Sequence, residues 1–229
     1  MNSRIYQSTY DELFKNDPKI LKEALKQACE IRKFEIDLYW KRATYFWTFI
    51  GASFVGYAAY FNTIKDNPDG QFILVLIACV GFVFSVAWHF VNKGSKFWQE
   101  NWENHVELLE DAVFGPLYKT ITRRPLNKTD NPYTFKDKVK NFFVDPSPYS
   151  VSKINQLVST YIAIIWGFIL WSSVGEKCIT GCTPDWHKAL PVGLSLFTCV
   201  GFWWIGKSHQ GSHDPQVFTR KTTVDGEPG

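Results

Sequence analysis

Residues 71–92 read QFILVLIACVGFVFSVAWHFVN, a run without a single Asp, Glu, Lys or Arg. An α-helix rises about 1.5 Å per residue, so a tract of this length can cross the roughly 30 Å hydrocarbon core of a bilayer. Three further tracts share the property, at about 43–62, 156–175 and 189–206. The last is the shortest, and Pro191 near its start makes that boundary the loosest. A core helix of a soluble protein is apolar along one stripe, whereas these tracts are apolar all round. The fold class read from the sequence is therefore an all-α membrane protein. It has four transmembrane helices in two hairpins, with long cytoplasmic helical extensions.

Whole-chain averages conceal this. A mean hydropathy of -0.16 and a charged fraction of 21% would suit a soluble domain, but charged and apolar residues are segregated along the chain. The aromatic load of 10 Trp, 10 Tyr and 19 Phe suits a chain that crosses bilayer interfaces, where amphipathic rings concentrate. The net charge of +3 comes without a Lys/Arg stripe interleaved with aromatics, so no nucleic-acid partner is expected. The first 42 residues are polar and mixed in charge, with no short apolar core near Met1, so insertion is expected to rely on the internal helices.

Basic residues fix the expected orientation. Residues 1–42 carry nine Lys and Arg, residues 93–155 carry ten and residues 207–229 carry three, while the two short loops hold only Lys65, Lys177 and Lys188. The positive-inside rule then puts the long segments and both termini in the cytoplasm. The expected order is a cytoplasmic N-terminal helix (1–42), a first transmembrane hairpin (43–92), a cytoplasmic helical segment (93–155), a second hairpin (156–206) and a cytoplasmic tail (207–229). Trp40 and Trp47 flank the inner end of the first span, and Trp171 and Trp186 suit the outer interface.

The cytoplasmic parts are patterned as helices. Asp17 can cap a helix that Pro18 opens, since the first-turn N–H that proline lacks has no partner in any case. Leu21, Leu25, Ala28, Ile31, Phe34 and Leu38 follow at three- and four-residue steps. With no Gly or Pro from Lys19 to Ile50, one long helix is expected to run out of the membrane. Beyond Lys93-Gly94-Ser95, Trp98, Trp102, His105, Leu109 and Val113 mark a second apolar face. Glu100, Glu103, Glu107 and Glu110 take the remaining surface, and Gly115-Pro116 ends the element. The two stripes could cover each other or pack on neighbouring subunits. The interface residues expected on the second reading are Phe34, Leu38, Trp98, Trp102, His105 and Leu109. Farther on, Phe135, Val139, Phe142 and Phe143 oppose Lys136, Lys138 and Lys140, which fits either a helix in the headgroup plane or a cap on the cytoplasmic part. The tail after Gly206 is expected to fray.

Candidate chemistry is sparse. Cys178 and Cys182 face an oxidising side in this topology, and a disulfide and two free thiols are both compatible with their three-residue gap. Cys29, Cys79 and Cys199 read as small buried hydrophobes. No Cys or His pair has ligand spacing near another, so no metal or other cofactor is expected. His89, His209 and His213 are assigned structural or solvent roles, and His105 is the candidate pH-sensitive contact. Spans without ionisable residues argue against a proton-coupled transporter. Small residues four apart, Ala52 with Gly56, Gly81 with Ser85 and Ala163 with Gly167, suit close helix packing in lipid.

Two junctions between helix and span, EIRKFEIDLYWKRATYFW (Glu30–Trp47) and VNKGSKFWQENWENHVELLE (Val91–Glu110), resemble the RipA-like family of bacterial membrane proteins. The resemblance implies an octameric inner-membrane protein without established catalytic activity. The reading drawn from both lines is a non-enzymatic homo-oligomer of the bacterial inner membrane. Its cytoplasmic helices would serve assembly, or docking of an unidentified cytoplasmic protein. The rivals, in order, are an oligomeric channel for ions or small solutes and a membrane enzyme acting on lipid. The enzyme would need a convergent nucleophile, base or metal, which no cluster in the sequence supplies.

Overall fold

The computed structural model describes residues 17–63, 68–122, 149–174 and 186–207. Among them lie four α-helices: α1 (Pro18–Thr63), α2 (Pro68–Glu110), α3 (Val151–Val174) and α4 (Trp186–Trp204). The start expected at Asp17-Pro18 is where α1 begins. The Asp17 carboxylate accepts the Lys19 N–H at 2.8 Å, and its carbonyl accepts the Leu21 N–H at 2.9 Å. From there α1 runs unbroken for 46 residues, through the first apolar tract. α2 likewise passes through Gly94 without interruption over 43 residues.

Two stretches, Gly70–Glu110 and Val151–Val174, are long and apolar enough to cross a membrane. α1 and α4 fall short on composition. The apolar part of α1 is interspersed with Tyr45, Trp47, Tyr57 and Tyr60, whose polar atoms lower its hydropathy. α4 spends its first turn on His187 and Lys188 and carries Pro191 inside its 19 residues.

α2 ends at Glu110, before the Gly115-Pro116 stop read from the sequence. The Glu110 carbonyl accepts from Val113, Phe114 and Gly115 N–H at 3.0, 2.9 and 3.0 Å. Gly115 then turns the chain with a φ of 84°, a left-handed conformation that glycine adopts without the Cβ penalty. Glu110, expected on the surface, has no exposure at all. Its carboxylate accepts the Tyr118 N–H at 2.6 Å and the Lys119 N–H at 3.0 Å. A buried carboxylate needs such donors to replace water, and the turn folded over it supplies them.

The chain divides into two compact units. Among the described residues, the smaller contains 17–32 and 101–120. The larger contains 33–63, 68–100, 121–122, 149–174 and 186–207. In the smaller unit Leu21, Leu25 and Ala28 of α1 are buried against Val106 and Leu109 of α2, with Trp102, Cys29 and Val113 packed around them. Each large apolar side chain taken from water here contributes about 1.5–3 kcal/mol. The two amphipathic stripes thus cover each other in this stretch.

The larger unit is organised around tryptophan. Trp166 of α3 is fully buried, stacked on Phe54 of α1 at 4.4 Å between centroids and met edge-on by Tyr57 at 6.1 Å. A Cβ at Gly81 of α2 would overlap the Trp166 ring, so only glycine lets α2 lie this close. Trp88, 1% exposed, meets Trp47 edge-on at 6.1 Å. Val192 of α4 packs partly on the same cluster, and Lys188 Nζ donates to Gln71 Oε1 at 2.9 Å.

Candidate functional site

A band of polar side chains joins α1, α2 and α3 in the larger unit. Glu35, Tyr39 and Arg42 recur at steps of four and three along one face of α1. His89, Asn92 and Ser95 do so at steps of three on α2, and α3 offers Asn155, Gln156, Ser159 and Thr160 in its first turns. Asn155 Nδ2 donates to Tyr39 Oη at 2.7 Å, and its carbonyl accepts from Asn92 Nδ2 at 3.5 Å. Arg42 Nη1 donates to Ser95 Oγ at 3.0 Å and lies 3.6 Å from Glu35 Oε2. Tyr39, Asn92, Ser95 and Ser159 are all buried. Buried polar groups without partners would each cost about 1–3 kcal/mol, so these pairings fix how the three helices meet.

His89 lies at the edge of this band. Its Nδ1 is 3.0 Å from Thr160 Oγ1 and 3.4 Å from both Ser159 Oγ and the Gln156 carbonyl. Both hydroxyls donate to that same carbonyl, at 2.9 Å from Ser159 and 2.8 Å from Thr160. Their hydrogens being engaged, the consistent tautomer carries its proton on Nδ1, which donates to Thr160 Oγ1 and leaves Nε2 as the acceptor. A histidine serving as general base beside a hydroxyl needs the opposite polarity, with the hydroxyl donating to it. The geometry suits a helix lock better than a nucleophile. Among the described residues no group of three or more His, Cys, Asp or Glu could hold a metal ion.

The residues expected at a subunit interface part company. Leu109 is 2% exposed inside the smaller unit's own cluster, and Trp102 packs on that cluster. Both are taken up by the chain itself. His105 lies against Trp102, with ring centroids 5.2 Å apart, and burial pushes its pKa below the ordinary value. Leu38 is half-buried, while Phe34 and Trp98 face outward at 57% and 38% exposure, with Phe97 beside Trp98. Arg32 reaches Glu103 at 3.6 Å and lies over the Tyr118 ring at 5.4 Å.

The small-residue pairs separate as well. Gly81 and Ser85 are buried in the larger unit, Gly81 against Trp166. Ala163 and Gly167 are half-buried, Gly167 in ordinary contact distance of Phe82. Ala52 is exposed, and a Cβ at Gly56 would meet nothing. Cys178, Cys182, His209, His213 and the segment holding Phe135 to Phe143 lie outside the described residues. Cys29, Cys79 and Cys199 are free thiols.

Sequence reasoning missed the polar band, although its signal was present. Polar residues at helical spacing close the apolar tracts of α2 and open that of α3, where they read as simple span boundaries. The two junctions that carry the resemblance contain the α1 members of this band, Glu35, Tyr39 and Arg42, and two of its three α2 members, Asn92 and Ser95.

No curated protein and no solved structure matches the chain. The family model described as the octameric membrane protein family (8xMP) matches residues 22–175, a segment that takes in most of α1, all of α2 and α3 and the whole polar band, and stops short of α4. With the greater part of its length matched, the chain belongs to the octameric membrane protein family.

Proposed function

We propose that this protein is a non-enzymatic homo-oligomer of the bacterial inner membrane. It crosses the bilayer four times, keeps both termini in the cytoplasm, and uses its cytoplasmic helices as an assembly or docking platform. The observation that carries the reading is membership in a family described as octameric, in a chain whose Phe34, Phe97 and Trp98 are 57%, 50% and 38% exposed. Exposed rings of this size beside lysines and glutamates are costly in water and are ordinary at a protein interface. The distribution of Lys and Arg supports the topology. So do the exposed Trp40, Trp47, Trp171 and Trp186, which suit the two bilayer interfaces.

Native mass spectrometry from nanodiscs tests the reading. Eight copies are expected, as the family's description states. Phe34→Ala combined with Trp98→Ala should deplete that species in favour of smaller ones. Single copies from the wild type would overturn the oligomer, and an unchanged assembly in the double variant would overturn the cytoplasmic platform.

A further inference from the structure

We propose that the mouth between α2 and α3, where Lys93, Lys153 and His89 Nε2 gather at one end of the helix pair, binds an anionic phospholipid with a glycerol headgroup. The inference rests on the part of the reading above that has these helices cross the bilayer, and it goes further by naming a lipid class.

The two helices run antiparallel: Gly81 meets Trp166, His89 meets Thr160 and Asn92 meets Asn155 in turn. Lys93 stands one turn beyond His89 on the same side of α2, and Lys153 stands two turns from Thr160 on the same side of α3. Both therefore lie at the end that the Asn92–Asn155 contact closes. Both are exposed, and neither has a carboxylate partner among the described residues. Their neighbours differ, since Lys41 pairs with Asp37, Arg42 with Glu35 and Lys96 with Glu100. No Asp or Glu occurs from 70 to 99 or anywhere in α3, so the two helices offer these ammonium groups no anion at this depth. α4 adds a third cation. Lys188 bonds to Gln71 and Ser195 to Cys79, which sets α4 parallel to α2. Carried on in that register, the chain brings Lys207 to about the level of Val91.

His89 decides which anionic headgroup suits the mouth. It sits about 4.5 Å inside the end of the charge-free tract at Asn92, at headgroup depth and not among acyl chains. Its Nδ1 is committed to Thr160, and Nε2, the remaining acceptor, has no partner among the described residues. An acceptor so placed selects a ligand with a hydrogen-bond donor close to its phosphate. A choline headgroup has no donor. An ethanolamine ammonium has one, but the unpaired lysines repel it. A glycerol headgroup supplies hydroxyls without positive charge, and its phosphate answers the lysines. From the mouth toward the middle of the bilayer α3 turns outward Leu157, Tyr161 and Ile164, each more than 60% exposed. That surface takes acyl chains, which a free glycerol phosphate lacks.

Native mass spectrometry of the protein released from nanodiscs tests the proposal. The bilayer holds equal parts phosphatidylethanolamine, phosphatidylglycerol and phosphatidylmethanol, the last an anionic lipid without headgroup hydroxyls. Phosphatidylglycerol should be retained several-fold over phosphatidylmethanol, and both over phosphatidylethanolamine. Lys93→Gln and Lys153→Gln should each weaken retention of the anionic lipids about fivefold. Lys19→Gln with Lys26→Gln, exposed positions in the smaller unit, should leave it unchanged. His89→Asn, whose amide can still donate to Thr160, should erase only the advantage of phosphatidylglycerol over phosphatidylmethanol. Millimolar glycerol 3-phosphate should displace neither lipid. Retention without preference, preferences unaltered in the mouth variants, equal losses from the control lysines, or displacement by glycerol 3-phosphate would overturn this proposal and leave the membrane reading standing. A chain that stays out of the nanodiscs would overturn both.

Discussion

The two units of the chain differ in the polar groups they bury and in the side chains they leave outside. In the smaller unit, Leu21, Leu25, Ala28, Val106 and Leu109 are inside, and ion pairs such as Arg32 with Glu103 lie at the rim. That is the arrangement water selects. In the larger unit Ser85, Asn92, Ser95 and Ser159 are buried alongside Val75, Trp88 and Trp166, while Phe168, Leu190, Phe197 and Trp204 are outside. Where a helix lies in lipid, hiding an apolar side chain brings no hydrophobic reward, and packing and hydrogen bonds must hold it to its neighbours. One 46-residue helix, α1, contributes to both units.

The strongest way to break the contrast is in the tryptophan core. Trp166→Ala removes a fully buried ring under Phe54 and Tyr57, and large-to-small changes of this kind cost about 3–5 kcal/mol. Thermal unfolding in detergent should shift far downward, and loss of the Tyr57–Ser173 hydrogen bond, 2.8 Å in the wild type, should follow.

Leu25→Ala should cost about 2–4 kcal/mol, because water drives its burial. Hydrogen exchange should then quicken at residues 17–32 and 101–120 and stay unchanged in α3. Equal loosening of α3 would mean that the two units are not held independently.

Tyr39→Phe removes the hydroxyl that accepts from Asn155 and nothing else. Interhelical hydrogen bonds in membrane bundles are worth roughly 0.6–2 kcal/mol, so a small fall in detergent stability is expected. A loss as large as that of Trp166→Ala would mean that the polar band, rather than aromatic packing, organises the larger unit.

The smallest effect should come from pH. Burial lowers the folded-state pKa of His105 below 6.5, so below that value the unfolded chain binds the proton more readily. The stabilisation is fully present above pH 6.5, declines as pH falls below it, and levels off beneath the lowered pKa. Circular-dichroism melts between pH 7.5 and 5.5 should show the decline for the smaller unit, and His105→Gln should flatten it.

Much of this architecture can be read from residue order alone, because Asp17-Pro18 and the charge-free tracts act locally. What covers an amphipathic stripe is another matter. Leu109 and Phe34 look equivalent by spacing, yet one is buried by its own chain and the other exposed. Spacing states that a face needs cover and carries no information about which segment provides it. Glu110 is hidden for a related reason. It follows Glu100, Glu103 and Glu107 in a surface-like pattern, and only the returning Tyr118 and Lys119 amides make its burial tolerable. The polar band depended on the same long-range knowledge, since Tyr39 and Asn155 are 116 residues apart.

Hydroxyl-radical footprinting of the native protein in nanodiscs tests the central claim most directly, namely that lipid surrounds the apolar helical tracts of the larger unit and water the smaller unit. Phe168, Leu190 and Phe197 should escape oxidation despite their exposure on the subunit, while the exposed Phe114, Leu117 and Tyr118 of the smaller unit react readily. Comparable oxidation of both sets would contradict the account.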